Sequence, residues 1–153
     1  MRELRQSQAG FTLVELLIVL SIVSLSLLIA NNSYTSFRES STLSRAARVV
    51  AADVALARSY AIRNRTGVSL VADEADRSYV LRGTDGTVYL TRKFDASSEM
   101  PLESLTVNLP GDSVTFNARG LMLYGSARID VGRDSGSRRV SLNAIGRWQI
   151  DIL

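Results

Sequence analysis

From Phe11 to Ala30 the chain runs for twenty residues through apolar and small side chains with a single charge, Glu15. A helix rises 1.5 Å per residue, so about 20 apolar residues match the roughly 30 Å of hydrocarbon in a bilayer. A membrane-spanning segment is the first expectation. Residues 1–10 ahead of it are polar and carry Arg2 and Arg5 against Glu3. Positive charge before an apolar span holds that end in the cytoplasm and sends the rest across. A cleaved secretory signal would have a core of about 7 to 15 apolar residues and then a small-x-small site. This run is longer, and Leu28-Ile29-Ala30 lacks the first small residue. A plain anchor helix leaves Glu15 unexplained, because a carboxylate inside an apolar span costs about 2.5–3.5 kcal/mol and calls for a partner. Ser21, Ser24 and Ser26 are expected to bond back to the preceding helical turn, and Ser7 falls in the polar leader.

The short basic leader, the Gly10-Phe11 junction, Thr12, Glu15 and the unbroken apolar run together resemble the class III signal of type IV pilins and type II secretion pseudopilins. The resemblance implies that a prepilin peptidase cuts between Gly10 and Phe11, where a residue without Cβ admits a protease to the backbone. It also implies that the new terminus at Phe11 is methylated. Glu15 would neutralise a neighbouring subunit's terminal amine during assembly, the buried partner that a lone carboxylate requires.

The 153 residues contain neither cysteine nor histidine. Disulfide frameworks, Cys/His zinc sites, Ser-His-Asp triads and Cys-His nucleophiles are therefore excluded. No cofactor is expected, and the chain reads as a substrate of the peptidase rather than an enzyme. The division expected is a leader at 1–10, a transmembrane half-helix at 11–30, an exported amphipathic half-helix at 31–66 and a β domain at 67–153. Beyond the span, about 120 residues are enough for one modest core. The formal charge is +3, and all but one of the 18 basic residues are arginine, Lys93 being the exception.

No glycine or proline interrupts residues 31–66, while Leu43, Ala46, Val50, Val54, Ala57 and Ala61 recur at spacings of three and four. That period predicts a helix with one buried stripe. Arg38, Glu39, Arg45, Arg48, Asp53 and Arg58 are expected on its solvated side. Asn31 to Ser36 is the place for a bend, and Asn64 to Gly67 is a stop. After Gly67 the period turns to two, predicting strands at Val68–Ala72, Ser78–Arg82, Val88–Phe94, Ser104–Leu109, Ser113–Asn117, Leu121–Tyr124, Ala127–Gly132, Arg138–Asn143 and Trp148–Ile152. Turns are expected at Gly83–Gly86, Asp134–Ser137 and Asn143–Gly146. The fold class is α+β: a long N-terminal helix packed on an antiparallel β domain of one or two sheets.

Three body segments carry a narrower resemblance. They are Ala57-Arg58-Ser59-Tyr60-Ala61-Ile62 leading into a strand, Phe116-Asn117-Ala118-Arg119-Gly120, and the stretch from Arg138 to Arg147. They resemble the GspH/FimT family of minor pilins and pseudopilins, which often has proline where Ala118 stands. The resemblance implies a pilin-like subunit anchored in the inner membrane by one span, with its N-terminus cytoplasmic and its C-terminal domain periplasmic. Its partners would be other pilins or pseudopilins in a hetero-oligomeric filament, the peptidase, an inner-membrane platform protein and, indirectly, an assembly ATPase. The alternative is a DNA-binding minor pilin for uptake. Arg133, Arg138, Arg139 and Arg147 fall near the C-terminus beside Trp148, where guanidinium groups could grip phosphates. The family's Gly-Arg-x-Arg motif is incomplete, since Gln149 stands in the last place, and Trp148, Ile150 and Ile152 alternate as an inward strand face. Acidic groups at Asp73, Glu74 and Asp76 and at Asp95, Glu99 and Glu103 lack the EF-hand spacing and read as loop solubility.

Overall fold

A computed structural model describes residues 11–134 and 136–153, apart from the side chains of residues 29–33, 35 and 36. The leader, with Ser7 and Gly10, lies outside the described residues. The helix α1 (Leu13–Asn64) is continuous through the segment where a bend was expected. The chain divides into two units between Phe37 and Arg38.

In the first unit α1 begins at a cap that follows from Thr12-Leu13-Val14-Glu15. Thr12 Oγ1 accepts from Glu15 N at 3.1 Å, and Leu16 N donates to Thr12 O at 3.2 Å. This is the Thr-x-x-Glu start of a capped helix. Ser21, Ser24 and Ser26 each donate to the carbonyl four residues back, at 2.8 Å. Their hydroxyls are thereby satisfied inside the helix, as expected. Among the described residues no helix is long and apolar enough to cross a membrane. The apolar run continues through residues 29 and 30, whose side chains lie outside that description.

In the second unit the expected stripe is the core. Leu43, Ala46, Val50, Val54, Ala57 and Ala61 are fully buried, joined by Ala47 and Ala51. They pack with the inner faces of two antiparallel sheets built from β1 (Val68–Asp73), β2 (Ser78–Gly83), β3 (Val88–Lys93), β4 (Ser104–Val107), β5 (Ser113–Phe116), β6 (Ser126–Arg133), β7 (Gly136–Asn143) and β8 (Trp148–Ile152). One sheet has the order β3-β2-β1-β5 and the other β4-β6-β7-β8. Alternation places Val68, Leu70, Leu81, Val114, Phe116, Leu105, Ile129, Val131 and Val140 inward. α1 stops through a Schellman arrangement: Thr66 N donates to Ala61 O at 3.2 Å and Arg65 N to Ile62 O at 3.4 Å. The left-handed residue is Arg65, with φ 51°, so the stop falls inside the expected segment but not on its glycine.

Three expectations are corrected. Leu121–Tyr124 is no strand: Met122 alone bridges to Phe116, and its N–H goes to Ala144 O at 2.9 Å instead of a ladder. Trp148 is on the inner face, yet it is 47% exposed because β8 is the outermost strand of its sheet. Asp53 is not solvated but 6% exposed, and Arg58 is half-buried. Asp53 lies three residues after Val50 and four before Ala57, which is the buried stripe itself. Its carboxylate takes Tyr79 Oη at 2.6 Å and Arg92 Nε at 2.6 Å on Oδ2, with Arg92 Nη2 at 3.2 Å on Oδ1. Tyr79 and Arg92 are opposite one another in the β2–β3 register, so one helix carboxylate ties α1 to two strands.

Burial, then the hydrogen bond to Asp53 and its charge, hold the Tyr79 hydroxyl well above a tyrosine's ordinary 10.0. The folded state therefore keeps this proton more tightly than the unfolded chain does. The associated stability is complete below the ordinary value and falls as pH rises beyond it. Urea midpoints measured from about pH 9 to pH 11 should fall more steeply for the native chain than for Tyr79→Phe. At neutral pH, Asp53→Ala should cost about 3–5 kcal/mol, since it strips Arg92 of its carboxylate.

Candidate functional site

Two regions were expected to carry function, the helix start and the arginine-bearing C-terminal strands. At the helix start, Gly10 lies outside the described residues and Phe11 is 83% exposed. Glu15 occupies the third position of α1, one turn from Phe11, with its side chain exposed. Every described residue from Phe11 to Leu28 is exposed around the full circumference of the helix. An aliphatic surface of this kind, unrelieved on any side, is what a helix shows when hydrocarbon or other helices are meant to cover it. A carboxylate in the first turn also sits at the positive end of the helix dipole.

The four C-terminal arginines do not converge. Arg139 is held by Asp130 through Nε–Oδ1 at 2.8 Å and Nη2–Oδ2 at 2.7 Å, a bidentate pair across the β6–β7 register. The Asp130 carboxylate, and more weakly Asp151, hold the guanidinium above its ordinary value. Arg138, one residue earlier, points to the opposite face and donates to Ser137 O at 3.1 Å and to Ser40 Oγ on α1 at 3.2 Å. Arg133 stands at the β6–β7 turn beside Glu103 and Asp134. Desolvation and a hydrogen bond with Asp134 raise the Glu103 carboxyl while Arg133 opposes that shift. Arg147 is at the other end of β7, in the turn where Asn143 Oδ1 accepts from its N–H at 2.9 Å. Eight residues of strand at about 3.4 Å each put the two turns about 25 Å apart. A phosphate chain would meet Arg133 flanked by carboxylates at one end, Arg147 at the other and a neutralised pair between.

A third cluster joins three segments that lie apart in the sequence. Arg58 Nε donates to Gly120 O at 3.0 Å. A methyl added at Gly120 would lie 2.6 Å from Ile62 Cδ1 and 3.2 Å from Arg58 Cγ, and one at Gly146 would lie 2.9 Å from Arg58 Cδ and 3.3 Å from Phe116 Cε1. Both glycines are left-handed, with φ 72° and 71°. The Ala57-Arg58-Ser59 helix end, the Phe116–Gly120 segment and the Gly146 turn thus meet at one point. The signal was present in the sequence as three separate motifs, but nothing in their spacing says that they touch.

Two family profiles match the chain. One, described as the prokaryotic N-terminal methylation motif, covers residues 5–31, and the other, described as type II transport protein GspH, covers residues 46–146. Among solved structures, the type IV minor pilin FimU of Pseudomonas aeruginosa strain PAO1 aligns with a TM-score of 0.58 at 23% identity, over 75% of this chain and 92% of that one. In a second crystal form the TM-score is 0.49 at 21% identity, over 71% and 92%. At these identities the likeness is one of fold. No curated protein sequence matches the chain.

Arg58, Phe116, Gly120 and Gly146 all fall within the 46–146 match. A left-handed alanine costs about 1–2 kcal/mol before any clash. Gly146→Ala should therefore lower stability by more than Gly125→Ala, which shares the left-handed backbone but has open space around it. Chemical denaturation of the two variants side by side separates the clash from the backbone cost.

Proposed function

The chain belongs to the type II transport protein GspH family, and from that premise we propose that it is a minor pilin or pseudopilin processed by a prepilin peptidase and built at low copy into a filament. The observation that carries this reading is the exposed aliphatic surface from Phe11 to Leu28, beginning at a capped helix start with one carboxylate in its first turn. The methylation-motif match over residues 5–31 supports an inner-membrane anchor of the prepilin type. On this reading the span crosses once, with the N-terminus in the cytoplasm and the β domain in the periplasm.

The peptidase would cut between Gly10 and Phe11 and leave a cationic, methylated amine one residue before the Thr12 cap. That amine would stand at the positive end of the α1 dipole, where a cation is unfavourable without a counter-charge. Glu15 would supply the counter-charge to the terminus of a neighbouring subunit in an apolar setting, where neither ion is tolerated alone. Contacts would form with other pilins or pseudopilins and with the inner-membrane platform protein.

Processing and assembly separate cleanly by experiment. Gly10→Val should leave the full-length mass where the native chain yields one shortened to begin at a methylated Phe11. Glu15→Gln should be processed normally but lost from sheared filaments, and Glu15→Asp should recover part of that loss. A mature mass unchanged by Gly10→Val would remove the processing step, and wild-type incorporation of Glu15→Gln would remove the charge pairing.

A further inference from the structure

Four sheet edges bound the β domain, and three are closed by devices that commonly prevent unwanted strand pairing. β3 carries Arg92 and Lys93 and meets β2 through a register shift between Leu81 and Arg82. β4 is only four residues long and lies between Pro101 and Pro110. β5 is continued outward, since Phe116 bridges to Met122 and Leu123 N donates to Thr115 O at 3.0 Å. β8 has none of these. Trp148-Gln149-Ile150-Asp151-Ile152 contains no lysine, arginine, proline or glycine, and its pairing with β7 is unbroken from Leu142↔Trp148 to Arg138↔Ile152.

The phase of that ladder decides what the free edge presents. Asn143 N donates to Arg147 O at 3.0 Å and Leu153 N to Ser137 O at 3.2 Å, so the odd-numbered residues from 147 to 153 bond to β7. The N–H and C=O groups of Trp148, Ile150 and Ile152 therefore point away from the sheet. Their side chains share the inner face, where cover runs out toward the strand ends: Ile152 is 77% exposed, and Trp148 is nearly half-exposed. Unused backbone groups and uncovered apolar side chains thus occupy the same three residues.

We infer that β8 is a docking edge for an extended strand of another protein, apolar at alternate residues and bearing Lys or Arg opposite Asp151. An antiparallel strand added here bonds to Trp148, Ile150 and Ile152 and covers their side chains with its own apolar residues, the mode of β-strand addition. On the outer face, the residue opposite Asp151 falls in a close, non-hydrogen-bonded pair with Cα atoms about 4.5 Å apart. Asp151 accepts from Gln149 Nε2 at 2.7 Å and from Ser141 Oγ at 3.4 Å, and it has no ion pair among the described residues. The neighbouring Arg139 is committed to Asp130. A cation on the incoming strand completes the pair across the edge. Self-pairing of two β8 strands about Ile150 sets Asp151 opposite Gln149 and brings neither carboxylate a cation from the other copy, which favours a different chain over a second copy. The inference stands apart from the filament reading, since it uses only the β domain.

Trp148 is the only tryptophan in the chain, so its emission reports on this edge alone. The full chain in lipid nanodiscs is titrated with the synthetic peptide acetyl-Thr-Val-Lys-Val-Thr-Val-amide. Emission should shift to the blue, and amide exchange at Trp148, Ile150 and Ile152 should slow about tenfold or more. The same peptide N-methylated on its valine amides should do neither, while methylation on the threonine and lysine amides should be tolerated. Glutamate in place of the peptide's lysine should weaken binding several-fold, and Asp151→Asn should abolish that preference. Equal binding of the valine-methylated peptide, or protection at β3 instead of β8, overturns the proposal. Emission that shifts with protein concentration alone also overturns it, in favour of a second copy.

Discussion

The burial of one stripe of α1 in a core shared with both sheets is the constraint on which the β domain depends. Between Ala46 and Ala61 the buried stripe is built almost entirely of alanine and valine, so the helix axis can lie near two sheet faces at once. Interiors are packed near crystal density, and larger residues there would push one sheet away. Asp53 has a single methylene, and the long side chains of Tyr79 and Arg92 reach from the strands to meet it. The buried carboxylate is thus a lock upon the alanine stripe, and removing either partner leaves the other uncompensated.

Much of this was legible before the structure. Spacing of three and four located the stripe residue by residue, and eight of the nine expected strands are present within a few residues of their bounds. The misses share a cause. Asp53 and Arg58 lie on the stripe by spacing, yet their charge suggested the opposite face. Two sheets cover a wider arc of helix than one, and within that arc a charged residue needs a partner, not solvent. Leu121–Tyr124 alternates like a strand, but Tyr124 and Gly125 turn the chain and Ala144 takes the Met122 N–H. Trp148 had the right face and the wrong burial because strand order, which the sequence does not reveal, put β8 outermost. At the helix start Thr12 and Glu15 carry the family likeness, and their spacing is also that of a helix cap.

The two candidate regions obey different physical rules. At the N-terminal end, chemistry is sparse and burial is wanting: aliphatic side chains face outward on all sides, and one carboxylate waits for a counter-charge. Among the described residues nothing covers that surface or pairs with Glu15, which is what the proposed assembly would supply. Among the C-terminal arginines, charge is abundant but much of it is already paired. Arg139 answers Asp130, Arg138 answers α1, and the distance between the two turns keeps Arg133 and Arg147 from acting together. An arginine-rich segment is therefore poor evidence for phosphate binding until its internal partners are counted.

Those same internal partners bear on the free edge of β8. β8 is tied at both ends. The turn that leads into it is fixed by the two hydrogen bonds from Ile145 N and Arg147 N to Asn143 Oδ1 and is pressed against Arg58 at Gly146. Its far end is closed by Leu153 N on Ser137 O, next to Arg138, which reaches α1 through Ser40. The helix end thus meets the turn that leads into the strand, and the helix middle holds the neighbouring β7. An edge ordered in advance gives up little conformational entropy when another strand joins it, and that lowers the cost of pairing.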